Sequence, residues 1–256
     1  PTVPNPSQLL PTFLVFPMNH YSALFIDLDN TLYDFTANSR AAYRAVFELM
    51  DFGRWWNSFD EWFEVYEPNN VHLWTLYGQG LIDKATLNAE RYAFPFRQKG
   101  IADEPDETGQ TLSQRFMHEA LRRMPLGTAV KPYAHELLDY LQPRYPLYIL
   151  SNGFAELQYT KLRSAGIDGY FSGVILSDDI GITKPQRGIF DHALRVAGVA
   201  AGEALMIGDH YDVDIVGAHD AGWDSVWYNP DGKGIGAAGY EPTLTIRSLQ
   251  ELTLHL

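Results

Sequence analysis

Cysteine is absent from all 256 positions. That excludes disulfides, a thiolate nucleophile and any thiolate-bound zinc or iron–sulfur centre, and it fits a reducing compartment. Basic residues are few, 19 Lys and Arg against 32 Asp and Glu, for a net charge of −13. Binding to a nucleic-acid backbone takes clustered cations, so a nucleic-acid polymer is not an expected partner. A small phosphorylated ligand stays open, because a divalent metal locally inverts an acidic field. The apolar patch Leu9 to Met18 falls short of the about 20 residues that span a bilayer. No Lys or Arg precedes Arg40, so the basic flank of a secretory signal is missing as well. No GxGxxG follows the first apolar run, no GxSxG occurs, and the eight histidines form no HExxH pair. Nicotinamide-dependent, serine-hydrolase and zinc-protease chemistries are thereby disfavoured.

What is present reads as a globular α/β protein, with 46% hydrophobic and 20% charged residues. Residues 1–18 are proline-rich and are expected to form a loosely ordered leader, with Met18 as an alternative natural start. Short apolar runs recur at Ala23–Asp27, Tyr148–Ser151, Val174–Ser177 and Ala204–Gly208, with Val226–Tyr228 a candidate fifth strand. Helical stretches near Pro132–Leu141, Glu156–Ala165, Gln186–Ala197 and Asp212–Ala221 separate them. This β-α-β alternation predicts a doubly wound, Rossmann-like parallel sheet over 19–35 and 126–256. The region 36–125 lacks strand alternation and predicts an inserted helical cap domain. Trp55, Trp56, Phe59, Trp62, Phe63 and Tyr66 follow the spacing of one helix face, and Leu73, Trp74, Leu76, Tyr77 and Leu81 a second stripe. Core packing is the expected use of these aromatics, with Trp74 and Tyr77 the candidates to face a substrate. The acidic stretch 102–108 and the glycine-rich stretch 231–239 read as loops, and 244–256 as a last strand and short helix.

Four segments, each at the end of an apolar run, carry candidate chemistry. In the first, Asp27 and Asp29 leave a strand together, an awkward pair unless a cation or a proton relieves them. With magnesium between them and a phosphoryl group opposite, one carboxylate can attack while the other moves a proton. In the second, the Ser151 hydroxyl and the amides around Asn152 and Gly153 can hold phosphoryl oxygens. In the third, Lys184 stands before Pro185 and can neutralise developing charge. In the fourth, Asp209 and Asp214 add oxygen ligands of the kind magnesium takes. Open α/β sheets bind ligands where such strand ends meet.

The order and wording FIDLDNTLYDF, YILSNG, GITKPQRGIF and IGDHYDVDIVGAHDAG resemble the four motifs of the haloacid dehalogenase (HAD) superfamily, across roughly residues 21–250. The insertion after the first motif resembles its helical C1 cap. The resemblance implies Asp27 as the nucleophile that becomes an aspartyl-phosphate, and Asp29 as the acid/base. Ser151 and Lys184 would bind the phosphoryl group. Thr31 would support the first motif and joins Asn152 and Gly153 in the phosphate-binding set. Asp27, Asp29 through its backbone carbonyl, Asp209 and Asp214 would surround Mg2+. An acid two residues after the nucleophile marks phosphatases and phosphomutases; the dehalogenases lack it. The segments HLWTLYGQGLIDKATLNAERYAFPF and SNGFAELQYTKLRSAGIDGYF also resemble the pyrimidine-type nucleoside 5′-monophosphatases, although His210 departs from the usual Ser or Thr. Trp74, Tyr77, Arg91 and His210 are therefore candidate substrate contacts.

The expectation is a cytoplasmic, magnesium-dependent phosphomonoester hydrolase acting on a small phosphorylated metabolite. A nucleoside 5′-monophosphate is the candidate substrate, and monomer and homodimer are both open. A sugar phosphomutase of the β-phosphoglucomutase type and a non-enzymatic phosphoacceptor or binding protein on the same scaffold stand as alternatives.

Overall fold

The computed structural model describes residues 21–256, so the leader expected at 1–18, with the question of Met18, lies outside the described residues. Six strands form one parallel sheet: β1 (Ala23–Ile26), β2 (Leu147–Ser151), β3 (Gly173–Leu176), β4 (Ala204–Gly208), β5 (Asp224–Tyr228) and β6 (Leu244–Ile246). Their order is β3-β2-β1-β4-β5-β6. The inner strands β1 and β4 are buried along their whole length. Both faces of the sheet are covered, and an apolar run without alternation is what that environment selects. Leu24, Ile26, Ile149 and Ile207 feed the core on one face, while Phe25, Leu150 and Met206 feed the core on the other.

The helices are α1 (Phe35–Leu49), α2 (Phe59–Gly78), α3 (Lys84–Lys99), α4 (Leu112–Arg123), α5 (Ala134–Leu141), α6 (Ala155–Ser164), α7 (Ser177–Ile180), α8 (Arg187–Ala197) and α9 (Val216–Asp220). The cores show how they layer: α5 packs on one face of the sheet, and α8 and α9 on the other. Helices α1 to α4 all fall between β1 and β2 and form a cap-like insertion with its own core, in which Tyr43, Phe52, Trp62, Tyr66, Phe96 and Phe116 are buried. Phe154 and Leu157, from the β2–α6 segment, join that same core. Among the described residues no helix is long and apolar enough to cross a membrane.

Some local expectations shift. Trp55 and Trp56 lie ahead of α2, because the Ser58 hydroxyl accepts from the Glu61 amide at 3.1 Å and starts the helix there. Leu73, Trp74, Leu76 and Tyr77 continue α2 past Pro68 as the same helix, while Leu81 lies beyond it and is exposed. Ser177 begins α7 instead of ending β3. The stretch expected as one helix from Asp212 opens as a π-turn, Tyr211–Ile215, before the short α9. There the Asp214 carboxylate turns back to accept from the His210 amide at 3.1 Å.

Candidate active site

Parallel pairing sets the site. Ile26 of β1 registers with Ile207 of β4 and with Ile149 of β2, so the residues that follow these three strands emerge side by side. The strand order diverges on either side of β1, with β2 to one side and β4 to the other. Open α/β sheets form their ligand crevice at such a switch point.

Asp27 is buried, and its Oδ1 accepts from Lys184 Nζ at 2.8 Å. Its Oδ2 accepts from Thr31 Oγ1 at 3.2 Å, and the same hydroxyl lies 3.2 Å from Asp209 Oδ1. Lys184 also donates to Asp214 Oδ1 at 2.6 Å and to the Leu150 carbonyl at 2.7 Å. Its backbone is clasped by Asn152: the Lys184 amide donates to Asn152 Oδ1 at 2.8 Å, and Asn152 Nδ2 donates to the Lys184 carbonyl at 2.9 Å. The Asn152 side chain is thus occupied in holding the lysine loop. Gly208 has no room for a side chain, because a Cβ there would collide with the Asp214 carboxylate.

One lysine faces three carboxylates, those of Asp27, Asp209 and Asp214, whose ligand atoms lie within 4.8 Å of one another. Burial, then repulsion from Asp214, pushes the Asp209 carboxyl up to about 7. Burial also raises Asp27 well above the usual carboxylate range, against the pull of Lys184. Surplus negative charge on oxygen-only donors is the environment a hard divalent cation satisfies, and magnesium binds through a few carboxylates while keeping several waters. The residues therefore fit Mg2+.

Asp29 has other partners than that cluster. Lys161 Nζ reaches both of its oxygens at 2.8 Å, and Gln158 Nε2 donates to Oδ2 at 3.0 Å. Gln158 also donates to Ser151 Oγ at 2.6 Å, and that oxygen accepts from the Gly153 amide at 3.1 Å. Lys161 is 3% exposed, with its ammonium 4.7 Å from the Phe35 ring centre. Neither Gln158 nor Lys161 belongs to a sequence motif of the site. The available signal was their place on the Leu157–Leu162 face of α6, where a lysine interrupts an apolar stripe.

Two cavities open on these groups, and Asp27, Asp29, Asn152 and Trp74 line both. An inner one of about 200 Å³ is lined by Asp27, Asp29, Ser151 and Lys161 and, from the cap side, by Trp74 and Arg91. An outer one of about 950 Å³ takes in Lys184, Asp209, Asp214 and the exposed His210. Trp74 borders both. Tyr77 borders neither; it packs edge-on to Trp74 at 5.7 Å and to Phe154 at 5.8 Å.

Comparison with known proteins agrees with this arrangement. A family model described as haloacid dehalogenase-like hydrolase matches residues 21–222. The HAD-hydrolase YfnB of Bacillus subtilis is 30% identical over 236 residues, covering 92% of this chain and 95% of its own. Its magnesium-bound crystal structure superposes with a TM-score of 0.79 at 29% identity, over 91% of this chain and 97% of that one. The pyrimidine 5′-nucleotidase YjjG of Escherichia coli is 31% identical over 90% of this chain and 95% of its own. A glyceraldehyde 3-phosphate phosphatase of Pyrococcus abyssi is 31% identical over 80% of each.

Proposed function

Because the chain belongs to the haloacid dehalogenase-like hydrolase family, we propose that it hydrolyses phosphomonoesters through an aspartyl-phosphate on Asp27, with a nucleoside 5′-monophosphate as substrate. The observation that carries this reading is the grouping of Asp27, Asp29, Ser151 and Lys161 on one small cavity that cap residues also line. In the first step a carboxylate oxygen of Asp27 attacks phosphorus in line, and the bond to the leaving oxygen breaks. Asp29 gives that oxygen its proton. In the second step Asp29 takes a proton from water, the hydroxide oxygen attacks phosphorus, and the Asp27 carboxylate is released with inorganic phosphate. The Ser151 hydroxyl, whose oxygen accepts from the Gly153 amide, offers a hydrogen bond to a phosphoryl oxygen, and Lys184 holds Asp27 in place. Asp27, Asp209 and Asp214, with the Asp29 backbone carbonyl, would hold Mg2+, which supplies charge neutralisation on the phosphoryl oxygens.

Asp29 favours phosphoryl over halide chemistry, since an alkoxide leaving group needs a proton and a halide does not. A nucleotide is supported by Trp74, whose ring borders the inner cavity and stacks at 5.4 Å on Phe154, and by the similarity to YjjG. The test is magnesium-dependent phosphate release from nucleoside monophosphates, sugar phosphates and phenyl phosphate, with Asp27→Asn as the blank. Turnover of a nucleoside monophosphate that falls at least about 1000-fold in the variant is the expected result. Turnover of sugar or aryl phosphates alone keeps the mechanism and discards the nucleotide. Phosphoryl transfer only in the presence of a sugar bisphosphate returns the mutase alternative.

A further inference from the structure

The cap-side wall of the inner cavity holds a charge that this chemistry does not use. Arg91, on α3, is 2% exposed and lines the cavity with Asp29 and Trp74. Its Nη2 donates to Asn88 Oδ1 at 2.6 Å, while its Nε has no hydrogen-bond partner among the described residues. The other cations buried as deeply behave differently: Lys161 pairs with Asp29, and Lys184 with Asp27 and Asp214. Aromatic rings surround Arg91 instead. Its guanidinium carbon lies 4.8 Å from the ring centre of Tyr92 and 5.9 Å from that of Trp74. The phenols of Tyr43 and Tyr66, which feel its charge, are held by burial well above their ordinary range, so they offer no counter-charge at neutral pH. A guanidinium does not escape burial by losing its proton. An unpaired one is a costly feature of a folded core unless something that enters the cavity completes it.

We infer that Arg91 is the specificity-determining residue of the inner cavity, taking an sp2 oxygen on the leaving group (a ring carbonyl or a carboxylate) while the phosphoryl group sits at Asp27. A carboxylate can take two parallel donors from the guanidinium fork, and a ring carbonyl oxygen can accept from one of its N–H groups. Trp74, on the same wall, gives the body of the leaving group a flat apolar face. This inference rests on the phosphomonoesterase reading and adds to it the chemical feature the leaving group must carry.

The experiment compares three substrates: uridine 5′-monophosphate with ring carbonyls, O-phosphoserine with a carboxylate, and phenyl phosphate with neither. Values of kcat/KM are measured for the wild type, Arg91→Met and Arg91→Lys. The ratio of the preferred oxygen-bearing substrate to phenyl phosphate should fall about 30-fold in Arg91→Met, mainly through KM. Arg91→Lys should recover part of it. A fall confined to the uridine nucleotide assigns the carbonyl, and one confined to phosphoserine assigns the carboxylate. If all three substrates decline in step in both variants, Arg91 serves only cap packing and the inference is overturned. Failure of the wild type on every substrate, phenyl phosphate included, instead overturns the phosphatase reading. Calorimetric binding of the same three compounds to Asp27→Asn, with and without Arg91→Met, still reads the Arg91 ratio in that event. Equal affinities with and without the arginine would overturn the inference there too.

Discussion

Lys161 holds both oxygens of Asp29 at 2.8 Å from a position that is 3% exposed. Nothing else in the site fixes that carboxylate as firmly, since its second partner, the Gln158 amide, is shared with Ser151. A proton donor has to sit within hydrogen-bond reach of the leaving oxygen, and a displacement of about 1 Å can cost on the order of 100-fold in rate. Lys161→Met keeps most of the aliphatic stem and removes the grip. It is expected to lower kcat by roughly 10- to 100-fold with little change in KM, measured by steady-state phosphate release. Lys161→Arg should retain part of the rate. An unchanged kcat would reduce Lys161 to a structural ion pair.

Among the elements, the turn after β4 is the most tightly constrained part of the site. Asp209 and Asp214 approach one another because the chain opens into the Tyr211–Ile215 π-turn. That turn brings the Asp214 carboxylate back over Gly208, where any Cβ would strike it. The turn is further tied down by Trp227 on β5, whose Nε1 donates to the Asp209 carbonyl at 3.0 Å. Gly208→Ala should therefore displace Asp214 from both Lys184 and the carboxylate cluster. An Mg2+ affinity weaker by about 10-fold or more is expected in calorimetric titration. Unaltered affinity would mean that Asp214 is not needed around the metal.

Across the whole molecule, the surplus charge of the site links stability to pH and to metal. Asp209 is raised to about 7, and Asp27 is raised in the same direction. Both carboxyls hold protons more tightly in the folded chain than in the unfolded one, where an aspartate titrates near about 4. The metal-free protein should consequently lose stability as pH rises from about 4 to about 7. Each such group contributes up to about 1.4 kcal/mol per pH unit in that window. A divalent cation that binds only the folded chain offsets the loss where the carboxylates are ionised. Thermal melts with and without Mg2+ should show a larger stabilisation near about pH 7.5 than near about pH 5. Equal shifts at the two pH values would argue against metal binding at this cluster.

Much of this was legible in the linear sequence for a physical reason. A buried parallel strand must be an unbroken apolar run, so ALFI, YILS and ALMIG mark strands, and the polar residue that ends or directly follows each one lies at the crevice. Asp27, Ser151 and Asp209 were identifiable on that ground, and the cap from its lack of strand alternation. Helix starts and partners were less legible. The Ser58 cap separates Trp55 and Trp56 from the helix whose spacing they share, because one capping bond outweighs periodicity. Lys161 and Gln158 read as ordinary helix residues until α6 meets the segment after β1, where they reach Asp29 from 132 and 129 positions away. Arg91 is ambiguous in one dimension, since a salt bridge and a substrate contact call for the same residue. The sequence by itself determined the sheet and the chemical groups brought to its edge. Only the tertiary structure decided which cations those carboxylates already hold and which one is left facing the cavity, because pairing between distant segments follows from packing and not from spacing along the chain.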